Sequence, residues 1–125
     1  MRTQYLLTLV VAAGLGIAAT AIHGLHAQSK APVYAVVDIG EIADPEGYKA
    51  ISQVANADMP NAGGRYLART DKIIAVDGTA PKRFSIIAFD SLEKAQAWYN
   101  SPEMNKISEI RKKTIKARVF FVEGL

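Results

Sequence analysis

Residues 33–48 read VYAVVDIGEIADPEGY and join two different local patterns. The first part, residues 33–42, is rich in β-branched side chains and predicts a strand. The second part predicts the start of a helix, because Asp44 suits the N-cap, Pro45 the first helical position and Glu46 the positive end of the helix dipole. A strand that passes directly into a helix indicates a layered fold of strands and helices.

The predicted helix has apolar residues every three or four positions as far as Met59, and Pro60 is predicted to end it. The chain continues as NAGGRYLART, residues 61–70. Gly63 and Gly64 fall where the chain leaves the helix, and glycine readily takes the left-handed backbone that a helix exit often needs. The next strand is predicted to alternate Arg65, Leu67 and Arg69 against Tyr66, Ala68 and Thr70.

Further strands are predicted at residues 73–76 and 83–89, on either side of the turn DGTAP. A second helix follows, interrupted at residues 100–102 by NSP, and the chain closes with a strand in ARVFFVEGL, residues 117–125. The order is therefore strand, helix, two or three strands, helix, strand. This order predicts an α+β fold of the ferredoxin-like type, an antiparallel sheet with two helices on one face.

Both faces of this predicted sheet carry large apolar side chains. In the strand at 83–89, Phe84 and Ile86 oppose Ile87 and Phe89. Two helices cover only one face, and leaving the other face in water would cost roughly 1.5–3 kcal/mol per large apolar side chain. A contiguous patch of this kind marks an interface or a ligand groove. We therefore predict a homodimer whose sheets pack face to face as a dimeric α/β barrel.

The first residues follow the layout of a secretory signal peptide. Arg2 supplies a positive start, residues 6–22 are uncharged and mostly apolar, and cleavage after Ala27 would follow. The alternative is an uncleaved anchor. We predict a signal peptide at 1–27, a linker at 28–32 and one domain at 33–125, periplasmic or secreted and free of the membrane after cleavage.

Composition excludes several classes of chemistry. The two histidines lie in the predicted signal peptide, and the chain has no cysteine. The mature domain therefore lacks a thiol nucleophile, a Ser-His-Asp triad, a His/Cys metal site and the usual haem ligands, so we predict no metal and no cofactor. Removing Arg2 from 15 basic residues leaves the 12 acidic ones unchanged, so the net charge falls from +3 to about +2. Such a small charge predicts no nucleic-acid partner.

Several segments together resemble one known family, the domain of unknown function 1330. The resemblance extends in order over nearly all of the predicted mature chain. It implies a dimeric α+β barrel of ferredoxin-like units and implies no particular activity. The segments that carry it are DPEGY (44–48), AGGRYLAR (62–69), FDSLEKAQAWYNSPE (89–103), IRKK and the terminal VFFVEG.

Five residues are candidates for a ligand site. Arg65 and Tyr66 begin a strand at one end of the sheet, where Arg65 could hold a carboxylate ligand with Tyr66 beside it. The alternative is that Arg65 pairs with a carboxylate of the protein, such as Asp38 or Glu123.

Trp98 and Tyr99 lie on the second predicted helix. Either they wall a ligand cavity, or they are core anchors of an ordinary amphipathic helix. Asp38 is a carboxylate in an otherwise apolar strand, which is costly to bury alone. It is therefore either a general base inside the barrel or a paired charge that sets the dimer register.

Two functions stay open from the sequence. One is an exported domain that binds or transforms a small polar or carboxylated molecule in the dimeric barrel without a cofactor. The other is a non-catalytic dimeric protein with a structural or stress-related role. Whether the protein is an enzyme is not decided by its sequence.

Overall fold

The computed structural model describes residues 31–125. The predicted signal peptide and most of the predicted linker lie outside these residues. No helix within 31–125 is both long and apolar enough to cross a membrane. The elements in chain order are β1 (Val33–Ile42), α1 (Pro45–Ala62), β2 (Arg65–Thr70), β3 (Arg83–Phe89), α2 (Leu92–Tyr99), α3 (Pro102–Thr114) and β4 (Ile115–Glu123).

The four strands form one antiparallel sheet in the order β2-β3-β1-β4. This arrangement confirms the predicted α+β, ferredoxin-like class. The second predicted helix is two helices. Asn100 is the C-cap of the first, and Ser101 caps the second by accepting a hydrogen bond from the Met104 N–H at 3.3 Å. Asp44 caps α1 in the same way, accepting from the Gly47 N–H at 3.0 Å. Both caps satisfy backbone donors that a helix start leaves free.

Pro60 does not end α1, contrary to the sequence prediction. The helix continues to Ala62, and Gly63 closes it with a left-handed φ of 77°. In the last turn of a helix, a proline removes only the one backbone hydrogen bond that its missing N–H would have donated. The turn still forms because the Gly63 N–H donates to the Pro60 carbonyl at 3.3 Å. Gly64 is needed for space, since a Cβ there would clash with Met59 and the Phe89 ring.

Residues 73–76 do not form the predicted strand. Ile74 and Val76 lie in an irregular loop and are 90% and 99% exposed. Residues 73–76 pair with none of the four strands, and the sheet order places β2 directly beside β3. The loop therefore connects two paired strands without adding one.

The strict alternation predicted for β2 is also wrong. Tyr66 lies opposite Ile87 and Ala68 opposite Ile86, so Leu67 is an extra residue in a β-bulge. A bulge reverses the face on which later side chains fall. Tyr66 and Arg69 consequently share one face of the sheet.

All three helices pack on one face of the sheet. The buried core lies between them and the strands, and includes Val33, Ala35, Ile39, Ile87 and Phe89 from the sheet and Ile51, Met59, Ala95, Trp98, Met104 and Ile107 from the helices. The opposite face, which we call the open face, carries Tyr34, Val36, Phe84, Ile86, Ala88, Phe120 and Val122. Phe120 and Val122 are each 43% exposed. The predicted second apolar face is therefore present.

Candidate functional site

A cavity of about 70 Å³ lies between the helix-covered face of the sheet and the helices. Residues from all seven elements line it. Two of its lining residues, Arg69 and Tyr99, are exposed to solvent. Binding sites for drug-sized molecules measure roughly 300–1,000 Å³, so this cavity is sized for a small molecule or for one end of a larger one.

One wall of the cavity carries a chain of side-chain hydrogen bonds. The Tyr66 hydroxyl donates to Asn56 Oδ1 at 2.5 Å, and Asn56 Nδ2 donates to Ser52 Oγ at 3.3 Å. Ser52 and Asn56 are four residues apart on α1, so they lie on the same face of the helix. Tyr66 reaches them from β2, and this contact fixes its phenol against the helix.

Two arginines give the cavity positive charge. The Arg69 guanidinium carbon lies 5.2 Å from the centre of the Tyr66 ring, and that of Arg111 lies 5.9 Å from the centre of the Tyr99 ring. Both arginines line the cavity, and within residues 31–125 no aspartate or glutamate does. Neither guanidinium forms an ion pair with a carboxylate in that part of the chain. The cavity therefore favours an anion over a cation.

Trp98 is one of the apolar residues that line the cavity. It is 4% exposed, and its ring centre lies 5.5 Å from that of Phe89 and 6.1 Å from that of Tyr99. Its indole Nε1 is buried without a hydrogen-bond partner among the described residues. Buried donors are nearly always paired in proteins, so this N–H is a polar group that a ligand or water could satisfy.

The structure divides the five candidate residues between the two faces of the sheet. Tyr66, Trp98 and Tyr99 line the cavity together. Asp38 and Arg65 lie on the open face, away from it. Asp38 accepts a hydrogen bond from Arg118 Nη2 at 2.5 Å. Arg65 is exposed opposite Ala88, and it forms no ion pair with Asp38 or Glu123.

Sequence reasoning missed Asn56, Arg69 and Arg111 as site residues. The bulge in β2 hid Arg69, because strict alternation grouped it with Arg65. Arg111 belongs to a run of basic residues that looks like an ordinary solvated helix end. The four-residue spacing of Ser52 and Asn56 was a signal that could have found the polar wall.

Burial raises the pKa of the Tyr66 phenol above its ordinary value of 10.0, and the Arg69 guanidinium partly opposes that shift. Above about pH 10 the unfolded chain therefore loses this proton before the folded chain does. The stabilisation that the neutral phenol contributes is complete below that pH and is lost as pH rises through the raised pKa.

We expect the free energy of unfolding to fall more steeply above pH 10 in the wild type than in Tyr66→Phe, measured by urea denaturation. Identical slopes would contradict this prediction.

Comparison with known proteins shows the family and the fold. The family model of DUF1330, a domain of unknown function, matches residues 32–125. We found no significant match among curated proteins. A crystal structure of a protein of unknown function from Rhodopseudomonas palustris has a similar fold, with a TM-score of 0.62 and 13% identity over 85% of this chain and 92% of that one.

Two further solved structures share the fold. SnoaB, a cofactor-independent oxygenase from Streptomyces nogalater, is 9% identical, with a TM-score of 0.56 over 76% of this chain and 94% of SnoaB. A dimeric ferredoxin-like protein of unknown function from Jannaschia sp. CCS1 is 12% identical, with a TM-score of 0.56 over 74% of this chain and 99% of that one. At these identities the likeness concerns architecture, and the chemistry must be argued from the cavity itself.

Proposed function

This chain belongs to the DUF1330 family, whose description states no activity, and from its own geometry we propose that it binds a small carboxylated molecule in the cavity between sheet and helices. We propose further that it does so without a cofactor, as an exported homodimer. The sequence alone suggested a ligand in the space between two paired sheets. The cavity instead lies within one subunit, on the other face of the sheet.

The observation that carries this proposal is a pair of arginines that have no carboxylate partner within residues 31–125. Arg69 and Arg111 both border a cavity that no acidic residue of the described chain lines. Each is held against an aromatic ring, which leaves the planar N–H groups of the guanidinium free to bind a ligand. Guanidinium groups bind carboxylates through two parallel hydrogen bonds, which makes a carboxylate the best-matched small anion.

The rest of the cavity suits an apolar or aromatic body. Trp98, Tyr99 and Ile87 supply flat or aliphatic walls, and Tyr48 adds a further ring. Aromatic walls with a few polar groups are typical of small-molecule sites. A volume of about 70 Å³ limits the buried part of the ligand to a small acid or to part of a single ring.

The homodimer is supported by the open face. No helix within residues 31–125 covers this face, and it presents an apolar surface that includes Phe120 and Val122. Proteins of the same fold from Jannaschia sp. CCS1 and Thermobifida fusca are described as dimeric. A second copy packed on the open face would leave the cavity of each subunit accessible, because the cavity lies on the opposite face. Export is supported by the signal-peptide pattern of the first residues.

Binding can be measured by fluorescence, because the chain has a single tryptophan and Trp98 lines the cavity. We expect benzoate to change Trp98 emission in a saturable titration. Arg69→Gln should raise the benzoate dissociation constant about 10- to 100-fold, the effect of losing a hydrogen bond between charged groups.

Arg65→Gln is the matched control. It removes the same charge from the same strand, but on the open face, so it should leave the dissociation constant unchanged. Equal effects of the two substitutions would show only a long-range charge effect and would contradict a specific site at Arg69. Absence of any saturable response to benzoate, smaller aliphatic acids and hydroxybenzoates would favour the non-catalytic structural role.

A further inference from the structure

We infer that the ligand carries, in addition to its carboxylate, a hydroxyl or amino group that donates a hydrogen bond to the phenol oxygen of Tyr66. This inference rests on the proposed binding function and specifies the class of ligand. It assigns Tyr66 as the residue that distinguishes hydroxy or amino acids from acids without a donor, and Asn56 as the residue that positions it.

The direction of the hydrogen bonds on the polar wall decides what Tyr66 can offer a ligand. Asn56 Nδ2 donates to Ser52 Oγ at 3.3 Å, and Asn56 Oδ1 faces the Tyr66 hydroxyl. An amide oxygen can only accept, and the Tyr66 hydroxyl therefore donates to it, at 2.5 Å. A phenol has one proton, so none is left for a ligand.

The Tyr66 oxygen keeps its lone pairs, and these are the hydrogen-bonding capacity that remains. Burial raises the pKa of Tyr66, so the phenol stays protonated at neutral pH and keeps its bond to Asn56. A ligand atom placed against this oxygen must therefore be a donor. An ether or carbonyl oxygen at the same position has no proton to donate, so it could form no hydrogen bond with the Tyr66 oxygen.

Arg69, which lies beside Tyr66, determines the second group that the ligand must carry. Arg69 lies over the Tyr66 ring, with 5.2 Å between its guanidinium carbon and the ring centre, and it offers only donors. The cavity thus presents a cationic donor and a neutral acceptor side by side. A molecule that matches both groups has an anionic acceptor and a neutral donor within the length of one ring. Hydroxybenzoates and aminobenzoates are the simplest molecules of this class.

The test compares hydroxybenzoates with the matching methoxybenzoates, which keep the carboxylate and ring but replace the donor with an acceptor. We expect the best hydroxybenzoate isomer to bind the wild-type protein at least about tenfold more tightly than its methoxy counterpart in Trp98 fluorescence titrations. Tyr66→Phe should remove this preference while benzoate still binds. Because the extra methyl group stays equally bulky in the variant, a preference that persists in Tyr66→Phe would be steric and would overturn the inference.

Two further variants make the test specific. Tyr34→Phe removes a phenol from the open face and should leave the preference intact. Asn56→Leu frees the Tyr66 proton and should shrink the preference, because the phenol can then donate to a methoxy oxygen. If Tyr66→Phe does not fold, Asn56→Leu alone tests the inference, by the same comparison of hydroxybenzoate and methoxybenzoate binding.

The outcomes separate this inference from the proposed function. Equal binding of hydroxy and methoxy acids, with both weakened by Arg69→Gln, would overturn the inference and leave the carboxylate site standing. Failure of every acid to bind, or indifference to Arg69→Gln, would overturn both.

Discussion

Val122→Asp is expected to dissociate the proposed homodimer into monomers. Val122 lies on the open face, on the edge strand β4, and is 43% exposed in the single chain. A two-fold interface contains the substitution twice, so two carboxylates would be buried without partners. Their desolvation should raise the dimer dissociation constant at least about 100-fold, equivalent to roughly 3 kcal/mol. Sedimentation velocity over a dilution series measures this change directly.

Val54→Asp provides a matched control, since Val54 is 40% exposed on α1, on the helix side of the molecule. The same change at nearly equal exposure should leave the dimer intact. A wild-type protein that sediments as a monomer at every concentration would rule out the homodimer. Dissociation by both substitutions alike would show that the interface includes the helices, and would place it elsewhere than on the open face.

Phe89→Ala should lower the free energy of unfolding by about 3–5 kcal/mol, the usual cost of removing a buried aromatic ring. Phe89 is 2% exposed at the end of β3, with its ring centre 5.5 Å from that of Trp98. Gly64 packs against the same ring so closely that a Cβ would clash. The cavity left behind cannot collapse easily when a backbone segment forms one of its walls. Urea denaturation of the variant and the wild type at equal concentration measures the loss.

Phe120→Ala removes the same ring from the open face and should behave differently. Phe120 is 43% exposed in the single chain, so its loss should cost each subunit less than the loss of Phe89. It should instead weaken association, so that fewer subunits are paired at a given protein concentration and the midpoint of unfolding becomes less dependent on that concentration. Phe89→Ala should leave that dependence unchanged. Equal losses of stability, with the same concentration dependence in both variants, would contradict the separate roles given to the two faces.

Part of the candidate site could be predicted because local patterns carry it. Trp98 and Tyr99 stand out as large aromatic residues on a helix, and Tyr66 as an aromatic residue beside a glycine turn. The structure places all three around one cavity. Asp38 and Arg65 attracted attention for the same local reasons, yet they lie on the other face of the sheet. A charged residue in an apolar strand signals that it needs a partner, and for Asp38 the nearest one is Arg118, across the β1–β4 pair.

Arg69 shows why the remainder could not be predicted. Its position on the cavity side depends on one extra residue in β2, and a bulge is defined only by pairing with β3. Arg111 becomes a cavity residue only because α3 brings it beside Tyr99 of α2. Both contacts depend on how separate elements pack, which no single segment encodes.

The amino-acid sequence by itself determined the order of strands and helices, their caps, the helix-ending glycine turn and the presence of two apolar sheet faces. These features follow from the spacing of apolar residues, from the backbone conformations that each residue type favours and from local hydrogen bonds. All three act over a few neighbouring residues. Only the tertiary structure decided that residues 73–76 pair with no strand, that α1 continues past Pro60, and that Tyr66 and Arg69 share a face. Each of these depends on which distant backbone groups are available as partners, and that is settled when the sheet and helices assemble.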